Sequence, residues 1–152
     1  MKTISLKSQN FLFVCPSKRL STRERAVIND CELAISQGAR VILFCRRDSF
    51  LDTESRYLNI KKYYTLDEPR KLGWGKLKKK LEKIIKLEKV NLVHVYSFKL
   101  SLILAFILRK YLLIPLILTL YREFKEFHAG SFFKKMLISR IDLINVPSNI
   151  II

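Results

Sequence analysis

The sequence predicts one α/β domain with a mostly parallel sheet, and three observations lead there. Short apolar runs bounded by polar residues recur as buried strands do: Phe11-Leu-Phe-Val-Cys15, Arg40-Val-Ile-Leu-Phe-Cys45, Leu92-Val-His-Val-Tyr96 and Pro115-Leu-Ile-Leu-Thr-Leu120. Segments with helical spacing lie between them, the alternation that builds a parallel sheet. At 152 residues with 49% hydrophobic residues, the chain has length and apolar surface for one core and no second one. No Gly/Ser linker divides it, so residues 1–152 are expected to be a single Rossmann-like, three-layer domain.

The first strand, Phe11 to Cys15, is stopped by Pro16. A helix follows from Ser21 or Thr22, either of which suits an N-cap, with apolar positions at Ala26, Val27, Leu33 and Ala34 and Gly38 as its C-terminal cap. The run from Arg40 to Cys45 is the second strand, giving a parallel crossover. Between Arg46 and Gly73 the sequence is polar and irregular, with one short strand expected at Ile60 to Tyr64 and a loop at Asp67-Glu-Pro69.

From Trp74 to Val90, apolar residues at Trp74, Leu77, Leu81, Ile84, Ile85 and Val90 keep helical spacing while lysines fill most of the other positions, a basic amphipathic helix. Leu92 to Tyr96 then reads as a strand, Phe98 to Lys110 as a nearly all-apolar helix, Pro115 to Leu120 as a strand opened by proline. Phe132 to Arg140 reads as a helix and Ile141 to Val146 as a last strand.

Leu100 to Leu120 is long enough to span a membrane, since about 20 apolar residues suffice. Against a span, Arg109 and Lys110 lie near its middle, where each charge costs at least about 2.5 kcal/mol on insertion scales. A helix ending at those two cations, whose charge suits its C-terminal dipole, followed by a buried strand from Pro115, accounts for the same residues.

A net charge of +16 implies an anionic partner: nucleic acid, an acidic membrane surface or a phosphorylated ligand. No zinc-finger spacing, RNP-like strand motif or helix-turn-helix is present to organise base contacts, so no specific nucleic-acid partner is expected. Cys15, Cys31 and Cys45 form no CxxC pair and have no nearby histidine, and no carboxylate pair has ligand spacing, so no metal site is expected. Odd in number and partly within apolar runs, the cysteines read as reduced core residues of a cytoplasmic protein, and the N-terminus lacks the pattern of a signal peptide.

The series Leu92-Val-His-Val-Tyr-Ser97, an apolar helix, Ile114-Pro-Leu-Ile-Leu-Thr-Leu-Tyr121 and Ile141-Asp-Leu-Ile-Asn-Val-Pro-Ser148 resembles the N-terminal, acceptor-side domain of family 4-like glycosyltransferases of the GT-B fold. Gly38-Ala-Arg-Val41, leading the second strand, fits the same order. The resemblance runs from about Phe11 to Ser148. It implies a chain that binds the acceptor and lacks the C-terminal domain that holds the nucleotide-sugar donor, with chemistry in the cleft between the two. No cofactor is then expected in this chain itself. Its partner would be a donor-binding domain or subunit, and its acceptor a sugar or lipid-linked glycan. Many relatives carry a glycine pair after the first strand, where this chain has Lys18-Arg-Leu-Ser-Thr22, and a histidine after the fifth, where it has Tyr121-Arg-Glu123.

Ligands of open α/β sheets bind outside the carboxyl ends of the strands. That rule makes Ser21, Thr22, Ser97, Tyr121 and Arg122 the candidate acceptor-binding residues, with Ser148 at another strand end. Ser97 and Ser148 either meet a ligand or cap the next helix. Glu123 is the candidate general base, or a loop partner of Lys125, and His128 is a second catalytic candidate. His94, inside a strand, reads as a hydrogen-bonded core histidine. Lys78, Lys79, Lys80 and Lys83 are the candidate membrane-surface residues, expected to hold the protein peripherally on the inner face of a membrane.

Two functions are therefore expected. The first is the acceptor half of a glycosyltransferase, inactive without its donor half. The alternative is a non-enzymatic basic module that docks on an anionic membrane or a protein partner.

Overall fold

The computed structural model describes residues 6–65, 73–111, 113–121 and 132–146. Its strands are β1 (Asn10–Cys15), β2 (Arg40–Arg46), β3 (Ile60–Thr65), β4 (Leu92–Val95), β5 (Leu116–Thr119) and β6 (Leu143–Asn145). They pair in the order β3-β2-β1-β4-β5-β6, every pair parallel. The helices are α1 (Thr22–Ser36), α2 (Phe50–Glu54), α3 (Trp74–Leu87), α4 (Phe98–Leu108) and α5 (Phe132–Ile138).

Alternation along the strands feeds two cores. Leu12, Val14, Ile42, Phe44, Val93, Val95, Leu116 and Leu118 point to the face that α3, α4 and α5 cover. Phe13, Cys15, Val41, Leu43 and Cys45 point to the other face, against Val27, Cys31 and Ala34 of α1 and Leu51 of α2. Both faces of the central strands are thus buried, which is why they read as unbroken apolar runs. The three cysteines are free and buried, and burial raises all three thiol pKa values.

The helix ends follow local chemistry. The Ser21 hydroxyl accepts a hydrogen bond from Arg23 N and caps α1. At the other end Gly38 adopts φ +90°, its N–H bonds Ile35 O at 2.9 Å, and the N–H of Ala39 reaches Ala34 O at 3.0 Å. A side chain there would be strained by that φ, and its Cβ would lie 3.2 Å from Lys7 Cγ.

The stretch with membrane-like hydropathy divides into α4 and β5. Eight of the eleven α4 residues are buried, because it packs on the sheet with α3 on one side and α5 on the other, so it is apolar nearly all round. Arg109 and Lys110 are exposed at its end. Among the described residues no helix is long and apolar enough to cross a membrane.

The segment after β2 is more ordered than its composition suggests. Ser49 caps α2, a 3₁₀ turn (Ser55–Tyr57) follows, and Asp52, which is buried, accepts hydrogen bonds from Lys62 Nζ and Tyr64 OH of β3, both at 3.0 Å. The loop expected at Asp67-Glu-Pro69 lies outside the described residues.

At the amino edge of the sheet, Glu88 is a hub. Arg40 (2.6 Å), Lys61 (2.5 Å) and the Tyr63 hydroxyl all reach its carboxylate. Asn10 ties the same corner through Glu88 O (2.9 Å) and Asn91 Oδ1 (2.7 Å). Burial alone would push the Glu88 pKa up, but the hydrogen bonds from Lys61, Tyr63 and Arg40 outweigh it and hold it at about 2.

Candidate functional site

In a 3-2-1-4-5-6 sheet the strand order reverses between β1 and β4, so the loops leaving their carboxyl ends diverge and open a crevice. A pocket of about 240 Å³ lies there, lined by Arg23, Tyr96, Ser97, Phe98, Lys99, Leu120 and Tyr121. Arg23 comes from the first turn of α1, Ser97 to Lys99 from the start of α4, and Leu120 and Tyr121 from the end of β5. Three elements far apart in sequence therefore share one cavity.

Its electrostatics favour an anionic or hydroxyl-rich ligand. Arg23 and Lys99 bring positive charge, and the start of α4 adds the positive end of a helix dipole. Ser97 stands at the N-cap position, but its hydroxyl makes no capping bond and no acidic residue occupies the first turn. Beside the pocket, Glu24 is buried and stays ionised: burial would raise its pKa, and hydrogen bonds from Ser17 and Ser21 together with Arg23 more than reverse that. Arg23 Nε and Glu24 Oε1 are 3.4 Å apart, and neither makes a hydrogen bond among the described residues. Burial raises the pKa of Tyr121, so its phenol is protonated at neutral pH.

A buried polar chain supports the floor. The Tyr96 hydroxyl donates to Asp30 of α1, so its oxygen accepts from His94 Nδ1 at 3.2 Å, which leaves His94 Nε2 to accept from the Thr119 hydroxyl at 2.8 Å. The two rings stack with centroids 4.3 Å apart. Desolvation lowers the His94 pKa to about 4 against a smaller opposing pull from Asp30, so the imidazole is neutral. His94 is thus the hydrogen-bonded histidine that its strand position predicts.

No protein-family model matches the sequence, and neither does any curated protein. Solved structures do. MurG of Acinetobacter baumannii superposes with a TM-score of 0.64 at 12% identity, over 92% of this chain and 42% of its own. Anabaena Alr3699/HepE, solved in complex with UDP and glucose, gives 0.61 at 16% identity, over 90% of this chain and 37% of its own. Both are glycosyltransferases of the GT-B fold. The chain has the fold of a GT-B domain. It spans about two-fifths of the length of each of these proteins.

Of the residues named from sequence, Ser97 and Tyr121 line the pocket. Ser21 and Thr22 begin α1 and are exposed, while the next residue, Arg23, is the one that reaches the cavity. Arg122, Glu123, His128 and Ser148 lie outside the described residues. Lys78, Lys79, Lys80 and Lys83 sit on α3, on the face of the sheet opposite α1. Sequence reading missed Arg23, Glu24 and Lys99. One local signal was present for the first two: Ser21-Thr-Arg-Glu24 has the spacing of a capping box, which marks a helix start and a carboxylate turned back toward it.

Proposed function

We propose that this chain is the acceptor-binding half of a GT-B glycosyltransferase, with the N-terminal placement and family 4-like relationship its sequence suggests. It would pass a sugar from a nucleotide-sugar donor to a hydroxyl acceptor, in glycan or lipid-linked glycan synthesis. The observation that carries this reading is the pocket at the carboxyl ends of β4 and β5, beside the strand-order reversal of a GT-B domain. A pocket lined by Arg23, Lys99, Ser97 and Tyr121 suits the polar, hydroxyl-bearing surface of an acceptor. The HepE structure, which holds UDP and glucose, supports a nucleotide-sugar as the donor class.

The donor would be held by a second domain or a partner subunit. Stabilising the departing nucleotide and activating the acceptor require groups on both sides of a closed cleft. Arg122, Glu123 and His128 follow β5 directly in sequence and are the acceptor-side residues to test for anion binding and proton abstraction.

The purified 152-residue chain should release no UDP from UDP-sugars offered with hydroxyl acceptors, and should gain turnover when a donor-binding half is co-expressed. Ser97→Trp, which fills the pocket, should then cut transfer at least about tenfold with an unchanged circular dichroism spectrum. Robust transfer by the chain alone, or full activity with the pocket filled, would refute the reading.

A further inference from the structure

The composition of the acceptor pocket restricts the acceptor. Its polar side chains are Arg23, Tyr96, Ser97, Lys99 and Tyr121, and no carboxylate, amide or imidazole lines it. Arg23 and Lys99 donate hydrogen bonds and cannot accept them, and the Tyr96 hydroxyl is spent on Asp30. Ser97 and Tyr121 are left as the side chains able to accept. A neutral sugar brings a donor with every hydroxyl, so a lining made mostly of donors leaves it short of partners. An anionic oxygen, which only accepts, fits the same lining.

Both cations are open to such a ligand. The Arg23 side chain is 27% exposed, while its Nε has no accessible surface, faces Glu24 Oε1 at 3.4 Å and makes no hydrogen bond among the described residues. Its terminal nitrogens are therefore what it presents to the cavity, an edge that grips a carboxylate with two parallel bonds. Lys99 is exposed in the first turn of α4 and has no ion pair among the described residues.

The neighbouring acids limit the charge that fits. Glu24 is buried and ionised beside Arg23, and Asp30 lies behind the Tyr96 hydroxyl, so the two cations leave no surplus for a dianion. A carboxylate carries one charge. A phosphate monoester carries about 1.5 to 2 and would bring the excess against Glu24. At about 240 Å³ the pocket is smaller than the roughly 300–1,000 Å³ of drug-sized sites, which is room for a single sugar ring. We infer that the acceptor is an acidic glycan ending in a uronic acid, its carboxylate held by Arg23 and Lys99 and its hydroxyls by Ser97 and Tyr121. The inference rests on the acceptor-binding reading and narrows its substrate class.

Binding can be read on the purified chain, without a donor half, from amide ¹H–¹⁵N shifts. The methyl glycosides of glucuronic and galacturonic acid should move the Ser97, Lys99 and Tyr121 amides. The tighter of the two should bind at least about tenfold more strongly than methyl glucoside, the gain of a charge-assisted contact. Acetate, a carboxylate without a ring, and glucose 6-phosphate, a ring with a dianion, should each bind more weakly than that uronide. Lys99→Gln should weaken uronide binding at least about fivefold and leave methyl glucoside unaffected. Lys110→Gln makes the same change of charge at an exposed residue just past the other end of α4, and should alter neither. Equal affinity for uronide and glucoside at these amides would overturn the acidic acceptor and keep the acceptor pocket, whereas no response there to any of the sugars would end both. Tighter binding of acetate or glucose 6-phosphate, or equal losses from the two lysine variants, would also overturn the proposal.

Discussion

The two edges of the sheet use polar side chains in opposite ways. At the amino edge, the Glu88 carboxylate takes three partners, Arg40, Lys61 and Tyr63, and Asn10 binds the adjoining backbone. At the carboxyl edge, Glu24 is just as buried, yet one of its oxygens and the facing Arg23 Nε lack hydrogen bonds among the described residues, and Ser97 leaves α4 without a side-chain cap. A buried polar atom without a partner costs about 1–3 kcal/mol, so a fold tolerates few of them. Here Arg23 Nε and Glu24 Oε1 face each other at 3.4 Å as an ion pair with no hydrogen bond, at the strand ends where the topology opens a crevice. The amino edge closes the fold, and at the carboxyl edge Arg23 and Ser97 line a pocket.

That contrast is broken most easily at Glu88. Glu88→Gln should destabilise the chain by about 2–3 kcal/mol in urea titrations, because Arg40 and Lys61 lose a charged acceptor at a buried corner. The pH profile carries the sign. Glu88 has its folded pKa lowered to about 2 from 4.5, so its contribution is present above pH 4.5 and is lost as pH falls toward 2. His94, lowered from 6.5 to about 4, adds a loss between pH 6.5 and 4, where the unfolded chain takes up a proton that the folded one refuses. The wild-type protein should therefore weaken in both windows, and Glu88→Gln should flatten only the lower one. An unchanged slope below pH 4.5 in the variant would remove Glu88 from its place as the hub.

An intermediate effect is expected at Tyr96, which lines the pocket while its hydroxyl serves the fold. Tyr96→Phe removes the bonds to Asp30 and His94 and should cost about 1–2 kcal/mol. The imidazole should also lose its fixed tautomer, visible in its ¹⁵N shifts. Tautomer exchange already present in the unmodified protein would show that the chain from Thr119 to Asp30 is not directional.

How far the sequence revealed these edges depends on the range of each interaction. Strands buried on both faces, the capped end at Gly38 and the lysine helix are local patterns, and all three were legible. The strand-end positions of Ser97 and Tyr121 followed as well, since a parallel sheet places every strand's carboxyl end on one side. The five-residue α2 was not, being too short to show a period. Tyr96 and Asp30 are 66 positions apart, and Arg40 and Glu88 are 48 apart, with no local signal to join them. Lys78, Lys79 and Lys80 are adjacent in sequence, and only their angles around α3 send one to Phe106, one to solvent and one to the Tyr64 carbonyl.

The smallest effect sharpens the comparison furthest, because it sets two serines at the same structural position against each other. Ser21 and Ser97 are both N-caps, of α1 and α4, and both stand at the carboxyl edge. Ser21 uses its hydroxyl, accepting from Arg23 N and donating to Glu24 Oε2, so Ser21→Ala should cost about 1 kcal/mol. Ser97 makes no capping bond, so Ser97→Ala should change stability by less than about 0.5 kcal/mol and act only on whatever occupies the pocket. Equal losses in thermal denaturation would mean that the Ser97 hydroxyl closes its helix in solution. The start of α4 would then belong with the closed amino edge, and the polar lining of the pocket would come down to Arg23, Lys99 and the two tyrosines.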